Sequence, residues 1–228
     1  TLIAAACAFV AAPQPAAAQS PQAATRDVSE AHLSAARDML HAFLIDTGMV
    51  EVTSFEAFDL MGAQFRDPII GSAMYRALPP ARQQALRAYI DGLAPIVRDE
   101  AVRGAPQVIE QFTARTAALF TERELNEIAT YLRTPEGTAN ALRTVRDGMQ
   151  TQALGRQVRS EPTEAEAAAD VAFRASPGGR AFYSGSPQFG AMMRELGAQS
   201  VGGPHIRERI QRDMCAVLED DCPPGWRS

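Results

Sequence analysis

Apolar residues recur at three- and four-residue intervals along most of the chain, the pattern of helices with one buried face. A first helix is predicted to begin at Ser29, a preferred N-cap, and to end near Gly48, a preferred stop. Its buried face comprises Leu33, Ala36, Leu40, Phe43 and Leu44. A second helix is predicted from about Ser54 until Pro68 interrupts it. Its inward residues are Phe55, Phe58 and either Met61 or Phe65.

A third helix is predicted within residues 78–104, "LPPARQQALRAYIDGLAPIVRDEAVRG". We expect it to begin at Pro79 and Pro80, to kink at Pro95 and to end at Gly104. Residues 107–119 continue the helical pattern. No stretch alternates polar and apolar residues for long enough to predict a strand, so the expected fold class is all-α.

One phrase occurs twice: residues 120–142 are "FTERELNEIATYLRTPEGTANAL" and residues 162–183 are "PTEAEAAADVAFRASPGGRAFY". Aligning Thr121 with Thr163 gives a gapless offset of 42 positions. The matched pairs are Thr121 with Thr163, Glu122 with Glu164, Glu124 with Glu166, Tyr131 with Phe173, Thr134 with Ser176, Pro135 with Pro177, Gly137 with Gly179, and Ala139 with Ala181. The phrase predicts two related helix–corner–helix units, at residues 120–143 and 162–185.

The start of the phrase is a helix-capping signal. Thr121 and Glu124 have the spacing of a capping box, in which each side chain bonds to the backbone N–H of the other residue. Phe120 and Leu125 flank it in the positions of a hydrophobic staple. Thr163 and Glu166 predict the same cap in the second copy.

The end of the phrase predicts a sharp corner. Thr134 precedes Pro135 and therefore avoids helical angles, and Pro135 can open the next helix, where its missing N–H costs little. Gly137 follows in the first turn, where a side chain would collide with the preceding helix. Ser176, Pro177 and Gly179 predict the equivalent corner in the second copy.

The stretch "FTERELNEIATYLRTPEG" resembles the signature F-T-x-x-E-L-x-x-I-x-x-F-Y-x-S-P-x-G of secreted bacterial proteins grouped as domain-of-unknown-function family 2059. The matching residues are Phe120, Thr121, Glu124, Leu125, Ile128, Tyr131, Thr134, Pro135 and Gly137. The resemblance covers about residues 80–160, and the second aromatic of the signature is replaced by Leu132 here and by Arg174 in the second copy. It implies a helical exported protein and no established activity.

Composition adds a constraint on partners. The 228 residues carry 22 basic and 27 acidic side chains, for a net charge of −5, and every basic one is Arg. The charges are interspersed and form no basic stripe, so nucleic-acid binding is not expected.

The N-terminal segment "TLIAAACAFVAAPQPAAAQS" predicts export. An apolar run followed by Ala16-Ala17-Ala18 is typical of a signal peptide cut after residue 18, with the natural start upstream of Thr1. A flexible leader at 19–26 would follow, and we expect a periplasmic or secreted protein with no transmembrane helix in its mature chain. A buried N-terminal helix and a lipidated Cys7 are the alternatives.

Export determines the expected oxidation state of the two cysteines that remain after cleavage. In an oxidising compartment Cys215 and Cys222 are expected to form a disulfide that pins the C-terminal tail, with the last helix ending near Leu218. A metal pair is the alternative, but His32, His41 and His205 supply no His-x₃-His spacing, so no metal site is predicted. We divide the mature chain into a helical domain at 27–160 and a C-terminal repeat with its tail at 161–228.

The candidate catalytic groups have simpler explanations. The repeat carboxylates could act as an acid–base pair, but acids also favour the first turn of a helix; these residues are Glu122, Glu124, Glu127, Glu164 and Glu166. Ser200 with His205 lacks the preceding strand of a nucleophile elbow, and Glu219-Asp220-Asp221 is a weak Ca²⁺ pattern. Tyr131 and Phe173 are favoured as core anchors over a ligand platform. No catalytic residue or cofactor is predicted.

Two functions from different classes are compatible with these residues. We favour a non-catalytic cell-envelope protein that binds a protein, a peptide or a cell-wall component. The alternative is a periplasmic hydrolase or lyase that uses the carboxylates of the repeated motif. Two converging carboxylates of raised pKa in a deep pocket would favour the enzyme.

Overall fold

The computed structural model describes residues 29–202 and 204–222. Side chains are described throughout these ranges except at residues 57, 59–65, 186 and 196–205. The described residues are mostly helical and contain no strand, which confirms the predicted all-α multi-helix array. The α-helices are α1 Glu30–His41, α2 Met49–Ile70, α3 Ala73–Ala77, α4 Pro80–Asp91, α5 Leu93–Leu119, α6 Glu122–Leu132, α7 Pro135–Leu154, α8 Glu164–Ala175, α9 Pro177–Ser184, α10 Ser186–Gly202 and α11 Pro204–Leu218. Among them, none combines the length and apolar character that crossing a membrane requires.

The first helical segment begins and ends where the sequence predicts. The Ser29 side chain accepts a hydrogen bond of 3.2 Å from the His32 N–H and so caps α1. A π-helical turn, Ala42–Asp46, follows α1, and Gly48 then ends the segment at a φ of 69°. Glycine adopts this left-handed angle without the steric cost that a side chain would bring.

The predicted start of the second helix at Ser54 is wrong. Helix α2 begins at Met49, whose N–H donates to the Thr47 hydroxyl at 3.2 Å, and Ser54 is buried inside it. The helix also continues through Pro68 to Ile70, so the proline does not end it, although its missing N–H removes one bond to the residue four positions earlier.

The predicted helix that ends at Gly104 is also wrong in its boundaries. Helix α4 begins at Pro80 as expected but stops at Asp91, and α5 runs from Leu93 through Gly104 to Leu119. Pro95 lies in the first turn of α5, where its missing N–H breaks no bond, so it introduces no kink within a longer helix. A glycine inside a helix lowers helix stability by about 1 kcal/mol relative to alanine. Burial of the apolar face of α5 outweighs this cost.

Most helices pack around one core, in which α5 lies against α1, α2 and α10, and α6 against α1 and α9. Its fully buried members include Met39, Leu40, Phe112, Leu125, Ile128 and Met192. The predicted domain boundary near residue 160 lies in the non-helical stretch 155–163, yet Phe173 and Phe189 belong to this same core. Residues on both sides of the boundary therefore build the main core.

A smaller core joins α4 to the C-terminal helix α11. Helix α11 ends at Leu218 as predicted, and Glu219–Asp221 form a 3₁₀ turn. Cys215 and Cys222 are paired at disulfide distance, with their Cα atoms 4.9 Å apart. The signal-peptide and leader segments, Cys7, and the tail beyond Cys222 lie outside the described residues.

A candidate binding cleft between the repeat units

Both predicted capping boxes are formed. In α6 the Thr121 hydroxyl accepts the Glu124 N–H at 3.4 Å, and the Glu124 carboxylate accepts the Thr121 N–H at 2.7 Å. Thr163 and Glu166 repeat this at the start of α8, at 3.2 and 2.9 Å. Glu124 and Glu166 are therefore occupied in helix caps and are poor candidates for chemistry.

Both corners are formed as well. The hydroxyl of Thr134 accepts the N–H of Gly137, and that of Ser176 accepts the N–H of Gly179, each at 3.0 Å. A Cβ atom on Gly137 would lie 2.0 Å from the Tyr131 carbonyl oxygen, closer than any side chain can approach. The two units are thus helix–corner–helix joints, α6–α7 and α8–α9, and glycine is required at each corner.

The two units pack reciprocally, with α6 against α9 and α7 against α8. This arrangement brings the matched aromatics together, and the rings of Tyr131 and Phe173 stack with centroids 3.9 Å apart and planes 4° from parallel. Phe173 is almost fully buried, as expected for a core anchor.

A polar network that the sequence did not predict links the units beside this stack. The Asn140 amide donates to the Tyr131 hydroxyl at 2.9 Å and to the Asp170 carboxylate at 3.1 Å. Arg174 donates to the same carboxylate at 2.7 Å, and the Tyr183 hydroxyl donates to it as well. Burial opposes the ionisation of Asp170, but the hydrogen bonds from Tyr183 and Arg174 outweigh it and lower its pKa. Burial and the bond to Asp170 raise the pKa of Tyr183.

Glu127 joins α6 to the start of α9. Its carboxylate accepts the Gly178 N–H at 2.7 Å and the Arg123 side chain at 2.9 Å. The Gly178 N–H, followed by Arg123, lowers the pKa of this carboxyl group. Glu127 is therefore held as an anion that caps a neighbouring helix, and it is unsuited to donate a proton at neutral pH.

An open cleft of about 870 Å³ runs between α6 and α8. Its apolar lining comes from the Tyr131–Phe173 stack together with Ala169 and Ala172. Its polar lining comprises Glu122, Arg123, Asn126, Glu127, Thr130, Thr134, Glu136 and Ser176. An apolar floor with polar groups at its edge is the usual form of a site that binds another molecule.

The charged edge of the cleft is acidic on balance. Arg123 is paired with Glu127. Exposed Glu122 and half-buried Glu136 make no ion pair with another described residue. Two carboxylates from two different helices, α6 and α7, thus face the cleft without a cation.

The structure divides the predicted candidates into two groups. Glu122, Glu127, Tyr131 and Phe173 line the cleft, whereas Glu164 lies outside that lining, on the first turn of α8. Within the described ranges, no three His, Cys, Asp or Glu side chains are placed to hold a metal ion. The Ser200 and His205 side chains lie outside those that the structure describes.

The residues of this polar network, which the sequence analysis did not identify, have one recognisable feature in the repeat alignment. Asp170 occupies the repeat position of Ile128, and Asn140 that of Phe182. A polar residue in one copy opposite an apolar residue in the other marks where the two copies differ in environment.

Comparison with protein-family models, with curated proteins and with solved structures found no match to this chain.

Proposed function

We propose that this protein is an exported, non-catalytic binding protein of the bacterial cell envelope, and that the cleft between α6 and α8 holds a segment of a partner polypeptide. The observation that carries the proposal is the cleft itself. It is open to solvent, floored by the stacked rings of Tyr131 and Phe173, and edged by polar side chains. An extended or helical segment can enter such a cleft from the side.

The state of three repeat carboxylates disfavours their use as general acids. Glu124 and Glu166 bond to backbone N–H groups in caps, and the pKa of Glu127 is lowered. A general acid at neutral pH needs the opposite, a carboxyl group whose pKa is raised.

Two features support the proposed compartment. The N-terminal apolar run followed by Ala16-Ala17-Ala18 is typical of a signal peptide. Cys215 and Cys222 lie at disulfide distance, a pairing that persists in oxidising compartments such as the periplasm.

Site-specific photo-cross-linking tests the cleft. A benzophenone amino acid is placed at Asn126, an exposed residue that lines the cleft, or at Ala168, an exposed residue of α8 that does not line it. The full chain is expressed in bacterial cells, and the intact cells are irradiated. We expect an adduct of discrete mass from position 126 and none from position 168.

A matched pair of substitutions makes the test specific. Ala172→Arg fills the cleft from an exposed position, whereas Ala168→Arg adds the same charge and bulk outside it. The first should abolish the adduct at position 126 and the second should preserve it, while thermal melting shows that both fold. No adduct, or one that Ala172→Arg leaves intact, would refute the proposal, and so would cleavage of the captured partner by the purified chain.

A further inference from the structure

We infer that the polypeptide segment bound in the cleft is cationic, with an Arg or Lys side chain next to an apolar one. This inference rests on the proposed function and adds the chemistry of the partner. It follows from the two parts of the cleft lining, an apolar floor and an acidic edge.

The apolar part of the ligand is set by the floor. Half-buried Tyr131 supplies most of the exposed ring surface, because the Phe173 ring stacked against it is almost fully buried. Ala169 and Ala172 leave room beside it because their side chains are short. An aliphatic or aromatic side chain in this space would remove apolar surface from water on both partners. This apolar contact contributes to affinity but does not discriminate between cationic, neutral and anionic ligands.

The charge of the ligand is set by the edge. Arg123 and Glu127 neutralise each other, whereas Glu122 and Glu136 have no cation paired with them among the described residues. An acid in the first turn of one helix is ordinary. Here two helices direct one acid each to the same cleft, so charge complementarity favours a cation between them and disfavours an anionic segment.

The binding probes are three labelled octapeptides that differ only in charge. The first is Gly-Ser-Arg-Leu-Phe-Arg-Ser-Gly, and the other two carry Gln or Glu in place of both Arg residues. Fluorescence anisotropy with the full mature chain gives the three dissociation constants. We expect the Arg peptide to bind about three- to tenfold more tightly than the Gln peptide, as for one or two exposed ion pairs, and the Glu peptide to bind most weakly. Added salt should reduce the difference.

Charge-neutral variants identify the groups responsible. Glu122→Gln with Glu136→Gln should make the Arg and Gln peptides bind equally tightly. The matched control is Glu161→Gln with Glu164→Gln, two exposed acids that do not line the cleft and, like the cleft pair, make no ion pair with another described residue, and it should keep the preference.

The outcomes separate this inference from the proposed function. Equal binding of the Arg and Gln peptides, a preference that survives the cleft double variant, or no binding of any peptide would overturn the inference. If all three peptides bind equally tightly and Ala172→Arg abolishes their binding, the cleft remains a binding site and only the cationic character of the partner is refuted. If the chain with an otherwise unchanged cleft gives no position-126 adduct and binds none of the peptides, both the inference and the proposed function are refuted.

Discussion

The ring of Tyr131 lies flat on the ring of Phe173, with their centroids 3.9 Å apart. These residues occupy the same position in two copies of one phrase, so the chain pairs a repeated element with itself. Reciprocal packing of α6 on α9 and of α7 on α8 makes this possible. The cleft then forms along the open side of the stack, between α6 and α8.

The corner glycines should be irreplaceable. A Cβ atom on Gly179 would lie 1.8 Å from the Phe173 carbonyl oxygen, so Gly179→Ala must displace backbone and should lower the free energy of unfolding by about 3 kcal/mol. Gly148→Ala is the matched control, because its Cβ would meet no atom within 4 Å and it lies inside α7. It should stabilise the protein by about 0.5–1 kcal/mol. Urea unfolding measures both, and equal effects would contradict the corner geometry.

The local parts of this architecture were accessible from the sequence. Capping boxes and corners depend on bonds between residues three positions apart, such as Thr121 with Glu124 or Ser176 with Gly179, so their residue types and spacing predict them. The end of α11 at Leu218 was also predicted, because a helix through both Cys215 and Cys222 would keep their sulfurs apart.

The non-local parts were not accessible. Nothing in the order of residues says that α6 packs on α9, and the cleft exists only because of that pairing. The low helix propensity of glycine predicts a helix end at Gly104, but tertiary packing of α5 overrides that preference. The network around Asp170 depends on contacts between helices, so only the mismatch with Ile128 in the other copy hinted at it.

Stability should depend on pH through Asp170. Because its pKa is lowered in the folded protein, its ionised form stabilises the fold fully above the ordinary value of 3.8 and loses that effect as pH falls through the folded value. The difference in unfolding free energy between wild type and Asp170→Asn should therefore be constant near neutral pH and shrink in acid. Denaturant unfolding across that pH range measures it, and a difference that grows in acid would contradict the assigned bonds from Tyr183 and Arg174.

The first capping box should contribute measurably. Thr121→Ala removes the hydroxyl that accepts the Glu124 N–H, and loss of an N-cap typically costs about 1 kcal/mol. Thr144→Ala is the control, since this exposed threonine only donates back to the Asn140 carbonyl within α7. Chemical unfolding should separate the two variants, and an unchanged Thr121→Ala protein would show that the cap carries no free energy.

Export predicts one N-terminus for the mature protein. With Ala16 and Ala18 at the small-residue positions of a cleavage site, the chain isolated from cells should begin at Gln19. N-terminal sequencing or intact mass determines this. A mature form that retains Thr1 would refute cleavage, and incorporation of labelled fatty acid that Cys7→Ser abolishes would establish the lipidated alternative.

The C-terminal cysteines should form one intrachain bridge with a structural role. Cys222 is buried in the smaller core beside Leu218, and the Arg82 side chain donates to the nearby Val217 carbonyl at 2.9 Å, so the turn is held on α4. Closing so short a loop should contribute about 2–3 kcal/mol through the entropy of the unfolded chain.

Thiol chemistry decides whether that bridge exists. The unreduced mature chain should be two hydrogen atoms lighter than the reduced one and should resist alkylation in denaturant until a reductant is added. Cys215→Ser with Cys222→Ser should lower the free energy of unfolding by about the predicted 2–3 kcal/mol under oxidising conditions. In reductant most of that difference from wild type should disappear, because both chains then lack the cross-link. Two alkylatable thiols per unreduced chain, or bridges only between chains, would contradict the pairing of Cys215 with Cys222.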